Sequence, residues 1–167
     1  MTIQQFNNLI LQQVQDELFK CCGCTQWVEE LLNKIPFQSI EELKSESDKI
    51  WFSLNSKDWL EAFTHHPKIG DVKSLQEKFA STKQWASGEQ AGVNIATQTI
   101  LQELKNSNDE YERKFGYIFI VCASGKSAEE MLNILKWRIN NSPEEEIKIA
   151  AAEQNKITHL RIDKLFA

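Results

Sequence analysis

With 167 residues, 41% of them hydrophobic and including five Trp and nine Phe, the chain has enough apolar surface for one sizeable core. Its formal net charge of -5 is spread along the chain, and the absence of Lys or Arg clusters that track phosphates speaks against nucleic acid as a partner. No apolar run reaches the length of a membrane span, and the start Met1-Thr2-Ile3-Gln4-Gln5 lacks the charged and apolar regions of a signal peptide, so a soluble, cytoplasmic protein is expected.

Six Gly and three Pro punctuate the sequence, and neither a repeat nor a low-complexity linker divides it. A helical domain is expected. Thr2 to Gln5 has the spacing of a capping box, with Phe6, Leu9, Ile10 and Val14 following at helical intervals, and the first helices end near Gly23. Cys21-Cys22-Gly23-Cys24 gathers three of the four cysteines, the fourth being Cys122. A structural zinc site needs four converging ligands, usually as separated pairs, and no second Cys or His pair stands at such a spacing. A reduced, partly buried turn is the expectation there, without metal.

Beyond Thr25, the residues Trp27, Leu31 and Leu32 give a short amphipathic helix that stops before Pro36. Ser39-Ile40-Glu41-Glu42 is a second capping box opening a helix with Leu43, Ile50, Trp51 and Leu54. Ser56 or Asp58 starts the next, whose Trp59, Leu60 and Phe63 are expected to face the core. That helix delivers the chain to His65-His66-Pro67. A residue before proline is pushed away from the α region, so His66 belongs at a helix exit, from which Gly70 lets the backbone turn away.

Asp71 to Phe79 reads as a short exposed helix, and Ser81-Thr82 as the start signal of a longer one. Val93, Thr97, Ile100, Leu101 and Leu104 share a face, whereas the polar run Lys105 to Asp109 predicts a break before a further helix with Tyr111 and Phe115 that Gly116 ends. The segment from Tyr117 to Ala123 has strand propensity but no second such run to pair with, which predicts a buried segment wrapped by helices and leaving through Ser124-Gly125-Lys126. Ser127 to Glu130 is another capping box, ahead of Leu132, Leu135 and Ile139. Ser142-Pro143-Glu144-Glu145-Glu146 starts a last helix to about Leu165, with the inward stripe Ile147, Ala150, Gln154, Ile157 and Arg161.

Nucleophilic hydrolysis finds no support, since there is no Gly-x-Ser-x-Gly elbow and no motif ties Cys122 to a histidine. Phosphate-binding glycine loops are absent, and His65 and His66 are adjacent rather than four apart as metal-binding helical pairs are. What remains is acid/base chemistry without a cofactor, from His66, from the carboxylate and amide of Gly88-Glu89-Gln90, and from the guanidinium of Arg161. Each feature also has a bland reading: a histidine packed at a helix end, an acid in a first helical turn, an arginine snorkelling to solvent.

Taken in order, the motifs decide between these readings. Trp27, Pro36-Phe37, Trp59-Leu60-Glu61-Ala62-Phe63, His66-Pro67-Lys68-Ile69-Gly70, Glu89-Gln90-Ala91-Gly92, Tyr111-x-x-Lys114-Phe115-Gly116-x-x-Phe119-Ile120-Val121-Cys122-Ala123 and Arg138-x-Asn140 resemble the OHCU decarboxylases of urate breakdown over nearly the whole chain. The resemblance implies an all-α, multi-helix domain spanning residues 1–167, without a sheet, and a homodimer. It implies removal of carbon dioxide from 2-oxo-4-hydroxy-4-carboxy-5-ureidoimidazoline to give S-allantoin, with no metal or other cofactor. By the same matching His66 and Glu89 are the catalytic residues. Pro67, Ala86, Ser87, Gly88, Glu89, Gln90, Phe119, Ile120, Val121, Cys122, Ala123 and Arg161 bind substrate. One departure stands out: many members carry serine where this chain has Ala86, with Ser87 next to it. Two other classes keep a place, a noncatalytic helical interaction module and a metal-dependent hydrolase built on His65, His66 and the Cys21 to Cys24 cluster.

Overall fold

The computed structural model describes the backbone of residues 1–67 and 91–167, and the side chains of all of these except 91–96. Among the described residues the chain forms helices and no strand: α1 Ile3–Asn7, α2 Leu11–Cys21, α3 Thr25–Leu32, α4 Ile40–Ser53, α5 Ser56–Thr64, α6 Ala91–Phe115, α7 Ala128–Arg138 and α8 Pro143–Phe166. The expected helix over Asp71 to Phe79, the start at Ser81-Thr82, the turn at Gly70 and the side chain of Val93 lie outside the described residues. The chain divides into two compact units, one of residues 1–66, 120–122 and 147–167, the other of residues 67–119 and 123–146.

Local start signals set most helix ends. Thr2 and Gln5 exchange reciprocal bonds at the head of α1, as do Ser127 and Glu130 at α7. Ser142 and Glu145 do the same at α8, with Glu145 N donating to Ser142 Oγ and Ser142 N to the Glu145 carboxylate. At α5 the cap is Asn55, one residue before the expected serine and three before the expected aspartate: Asn55 accepts from the backbone of Lys57 and Asp58, and Asp58 answers as the third residue of the box. Ser39 caps α4 by accepting from Glu42 N. The predicted break at Lys105 to Asp109 is absent, and α6 runs through it. Those polar groups bond along the helix rather than against it: Gln102 to Asn106, Lys105 to Asp109, and the buried Asn108 amide to Leu104 O at 2.9 Å.

In the first unit α3 packs against α2, α4 and α5. Its core includes Phe6, Leu18, Trp27, Leu31, Leu43, Trp51, Phe63 and Ile162. The two buried indoles find backbone acceptors, Trp27 on Ser47 O and Trp51 on Ala151 O, so neither ring costs an unmade bond. Trp59 is half-buried and Leu60 is exposed, so of the three core residues expected on α5 Phe63 is the fully buried one. On α8 the buried line is Ala150, Ala151, Gln154, Thr158 and Ile162, while Ile147, Ile157 and Arg161 flank it half-buried. The expected stripe was therefore rotated by about one residue.

Gly23 follows α2 where the His65 ring passes over the backbone. A Cβ there would lie 2.5 Å from His65 Cγ and 2.6 Å from His65 Cβ, distances that real side chains do not adopt. Gly23→Ala is therefore expected to push His65 aside and to lower unfolding stability by roughly 1–3 kcal/mol, read as a reduced urea midpoint at unchanged slope.

In the second unit α6 and α7 pack together through Leu101, Leu104, Tyr111, Met131, Leu132 and Leu135. Gly116 and Gly125, both at positive φ, carry the turns at either end of residues 117–124. Within this core lies an ion pair that composition did not announce: Arg138, 2% exposed, meets fully buried Glu146. Arg138 Nε donates to Glu146 Oε1 at 2.7 Å, Tyr111 Oη donates to the same oxygen, and Asn141 donates to Oε2 at 2.9 Å. The guanidinium also stands 4.7 Å over the Phe119 ring. Burial, and then the Glu146 bond, hold the Tyr111 phenol above its ordinary range.

Candidate active site

The first unit assembles its polar centre on one face of α8. α5 ends at Thr64, His65 closes it, and His66 N still reaches Phe63 O, so His66 leaves the helix as the following proline requires. α5 itself is tied down at Glu61, whose carboxylate accepts from Thr25 N at 3.1 Å and Thr25 Oγ1 at 2.6 Å. It thereby satisfies the positive end of α3, which has no cap of its own.

The two adjacent histidines then diverge. His65 is exposed and packs edge-on against Phe19 with ring centroids 5.0 Å apart, over Gly23. His66 is half-buried, and its Nε2 is hydrogen-bonded to Oε1 of Gln154, a fully buried residue of α8. Gln154 Nε2 donates in turn to Thr158 Oγ1 at 3.2 Å, and the Thr158 hydroxyl donates to Gln154 O at 3.1 Å. Gln154 carried no role in the sequence. Its place at the centre of the inward line of α8 was the available signal.

Arg161 is seven residues beyond Gln154, two turns and about 10 Å along the same face. Its Nη1 donates to Lys20 O and Cys21 O, both at 3.3 Å, where α2 leaves its last carbonyls. The guanidinium is thus held by backbone rather than swinging in solvent. Residues 120–122 approach the same helix one position before Gln154: Cys122 N donates to Glu153 Oε2 at 2.7 Å. Ile120 and Cys122 are buried and Val121 is half-buried.

The first unit therefore holds His66, Ile120, Val121, Cys122 and Arg161, with His66 and Cys122 bonded to residues of α8 and Arg161 on α8 itself. Pro67, exposed, and Phe119 and Ala123, buried and half-buried, belong to the second unit. Ala86, Ser87, Gly88, Glu89 and Gln90 lie outside the described residues.

The cysteine turn behaves as a small apolar element. All four cysteines are buried and unoxidised, and among the described residues no group of three or more His, Cys, Asp or Glu could hold a metal ion. Burial pushes the thiols of Cys21 and Cys24 from their usual 9.0 up to about 11, and raises Cys22 further. An unfolded chain would ionise Cys21 and Cys24 above pH 9, whereas the folded chain keeps them neutral until about pH 11. Their contribution to stability is thus complete below pH 9 and is lost as the pH rises toward 11. Urea midpoints should fall across that window, and less so in a Cys21→Ala, Cys24→Ala double variant.

The sequence matches the family model described as OHCU decarboxylase over residues 7–163. It is 41% identical over 154 residues to the uric acid degradation bifunctional protein TTL of Arabidopsis thaliana, covering 92% of this chain and 47% of that protein. The chain thus spans about half the length of the plant relative. To the 2-oxo-4-hydroxy-4-carboxy-5-ureidoimidazoline decarboxylase of Haloferax volcanii it is 24% identical, with 100% of this chain and 97% of that protein covered. Its fold is similar to the crystal structure of an OHCU decarboxylase in the presence of (S)-allantoin, at a TM-score of 0.72 and 41% identity, covering 90% of this chain and 97% of the other. Among the described residues no helix is long and apolar enough to cross a membrane. The chain belongs to the OHCU decarboxylase family.

Proposed function

We propose that this chain, as one domain over residues 1–167, decarboxylates 2-oxo-4-hydroxy-4-carboxy-5-ureidoimidazoline to S-allantoin in urate breakdown, with His66 as acid/base. The observation that carries the reading is His66 itself. A half-buried imidazole at a helix exit, bonded to the buried amide of Gln154, is a placed proton carrier in a chain of this family. The presence of (S)-allantoin in the crystal of a relative 41% identical supports the product.

The substrate has its own electron sink, a ring C=N beside the carbon that loses carbon dioxide, so the protein need supply only orientation and protons. Cleavage of the bond to the carboxylate releases CO2 and sends the electron pair toward that C=N, with one proton taken up overall. His66 carries the proton exchanged with the hydroxyl on the reacting carbon. Arg161, held by the last carbonyls of α2, offers a fixed cation to a substrate oxygen, the carboxylate in particular. Glu89 and Gln90 hold the N–H and C=O edges of the ring and ureido group. The apolar side chains from Ile120 to Cys122 exclude water, which favours the spreading charge of the transition state over the localised carboxylate. The enzyme works as a homodimer in the cytoplasm.

Freshly generated substrate mixed with the purified chain tests the reading. Circular dichroism should develop the S-allantoin signal faster than in buffer. Growth at the spontaneous rate, or a racemic product, would favour a noncatalytic helical module instead.

A further inference from the structure

We propose that Gln154 is a positioning residue that fixes the tautomer of His66, holding the proton on Nε2 so that Nδ1 is the nitrogen that takes up and returns the substrate proton. The assignment of Nδ1 rests on the proposed decarboxylation; the tautomer does not.

The argument is one of donors and acceptors. A glutamine amide presents one accepting and one donating end, and which end faces a neighbour is settled by the rest of the network. The Thr158 hydroxyl has a single hydrogen, whose acceptors are Gln154 O at 3.1 Å and the Cys22 sulfur, so toward the Gln154 side chain Thr158 Oγ1 offers lone pairs. The group 3.2 Å from those lone pairs must therefore be the amide N–H, which leaves the amide oxygen facing His66 Nε2. That oxygen can only accept, so Nε2 must donate, and in the neutral imidazole the basic lone pair is then on Nδ1. Gln154 and Thr158 are 0% and 2% exposed, so water does not compete for these bonds. A neutral amide fits this task better than a carboxylate. It fixes the proton's place without adding a buried charge that would hold the imidazole permanently protonated.

Two-bond 1H–15N correlation spectra of histidine-labelled protein decide the tautomer, the three histidines being assigned through His→Asn variants. His66 should show a pyrrole-type Nε2 and a pyridine-type Nδ1 at a pH where it is neutral. The Nδ1–H form in the folded wild type would overturn the proposal. In Gln154→Met, which keeps length but has no acceptor, the His66 signals should move to a mixture of tautomers. In parallel kcat should fall about tenfold or more with KM little changed. A folded Gln154→Met protein whose His66 keeps the pure Nε2–H form would equally overturn it. Because the spectra need no turnover, a chain that fails to accelerate decarboxylation while showing the Nε2–H form would sink the functional reading and sustain the lock.

Discussion

Substituting His66 by Asn is expected to lower kcat by about a hundredfold or more, while the protein stays folded and KM changes much less. Asparagine is close in size to the near half of the ring and retains polar atoms at that place, so the half-buried site tolerates it without a large cavity. What it cannot do is accept and return a proton near neutral pH. The loss should therefore fall on the chemical step rather than on substrate binding. The same exchange at His65 should leave kcat within a few-fold of wild type. That ring is exposed and packs against Phe19 and Gly23 without touching Gln154's network, and any effect of its loss should be on stability. The comparison of the two adjacent variants under identical conditions checks both statements at once.

Arg138→Met should destabilise the protein by roughly 3–5 kcal/mol, the largest stability effect expected of a single substitution here. The cause is the partner left behind. Glu146 is fully buried and accepts from Arg138, Tyr111 and Asn141; without the guanidinium its carboxylate must either remain charged in the core or take up a proton. Methionine replaces much of the apolar stem volume, so packing loss is a minor share. Replacing both partners, Arg138→Met with Glu146→Leu, should recover much of the stability, because it removes the orphaned charge. Urea unfolding of the two single variants and the double variant measures the coupling directly. A loss that is merely additive would mean that Arg138 acts through packing.

What could be read from sequence depended on the range of the interaction that decides it. Helix starts are local contests, and the reciprocal caps at Thr2, Ser127 and Ser142 follow from side chains three residues apart. At α5 the stretch Asn55-Ser56-Lys57-Asp58 holds three side chains able to cap, and spacing, which points to Ser56 or Asp58, does not single out Asn55. The polar run at Lys105 to Asp109 has the composition of a break, because composition does not reveal the i,i+4 bonds that tie Lys105 to Asp109 and Asn106 to Gln102. On α8 the expected inward line follows helical spacing from Ile147, which passes over Glu146 and Thr158. Both are buried because Arg138, Tyr111 and Gln154 satisfy them. Glu146 looked like an ordinary acid of a first helical turn.

The candidate site followed the same division. His66 at a helix exit was legible from the proline after it, and the family order singled it out from His65. Gln154 was legible only as an inward residue, since its partner lies 88 positions away in sequence. Arg161 was legible as a cation on an apolar face, but not as the group that closes the end of α2.

The most direct measurement of the central claim is carbon dioxide release from substrate carrying 13C in its carboxylate, followed by membrane-inlet mass spectrometry. Wild-type protein should liberate labelled CO2 well above the spontaneous rate, and His66→Asn should fall back toward that rate. Equal release with and without the wild-type protein, or undiminished release by the His66→Asn variant, would contradict the account.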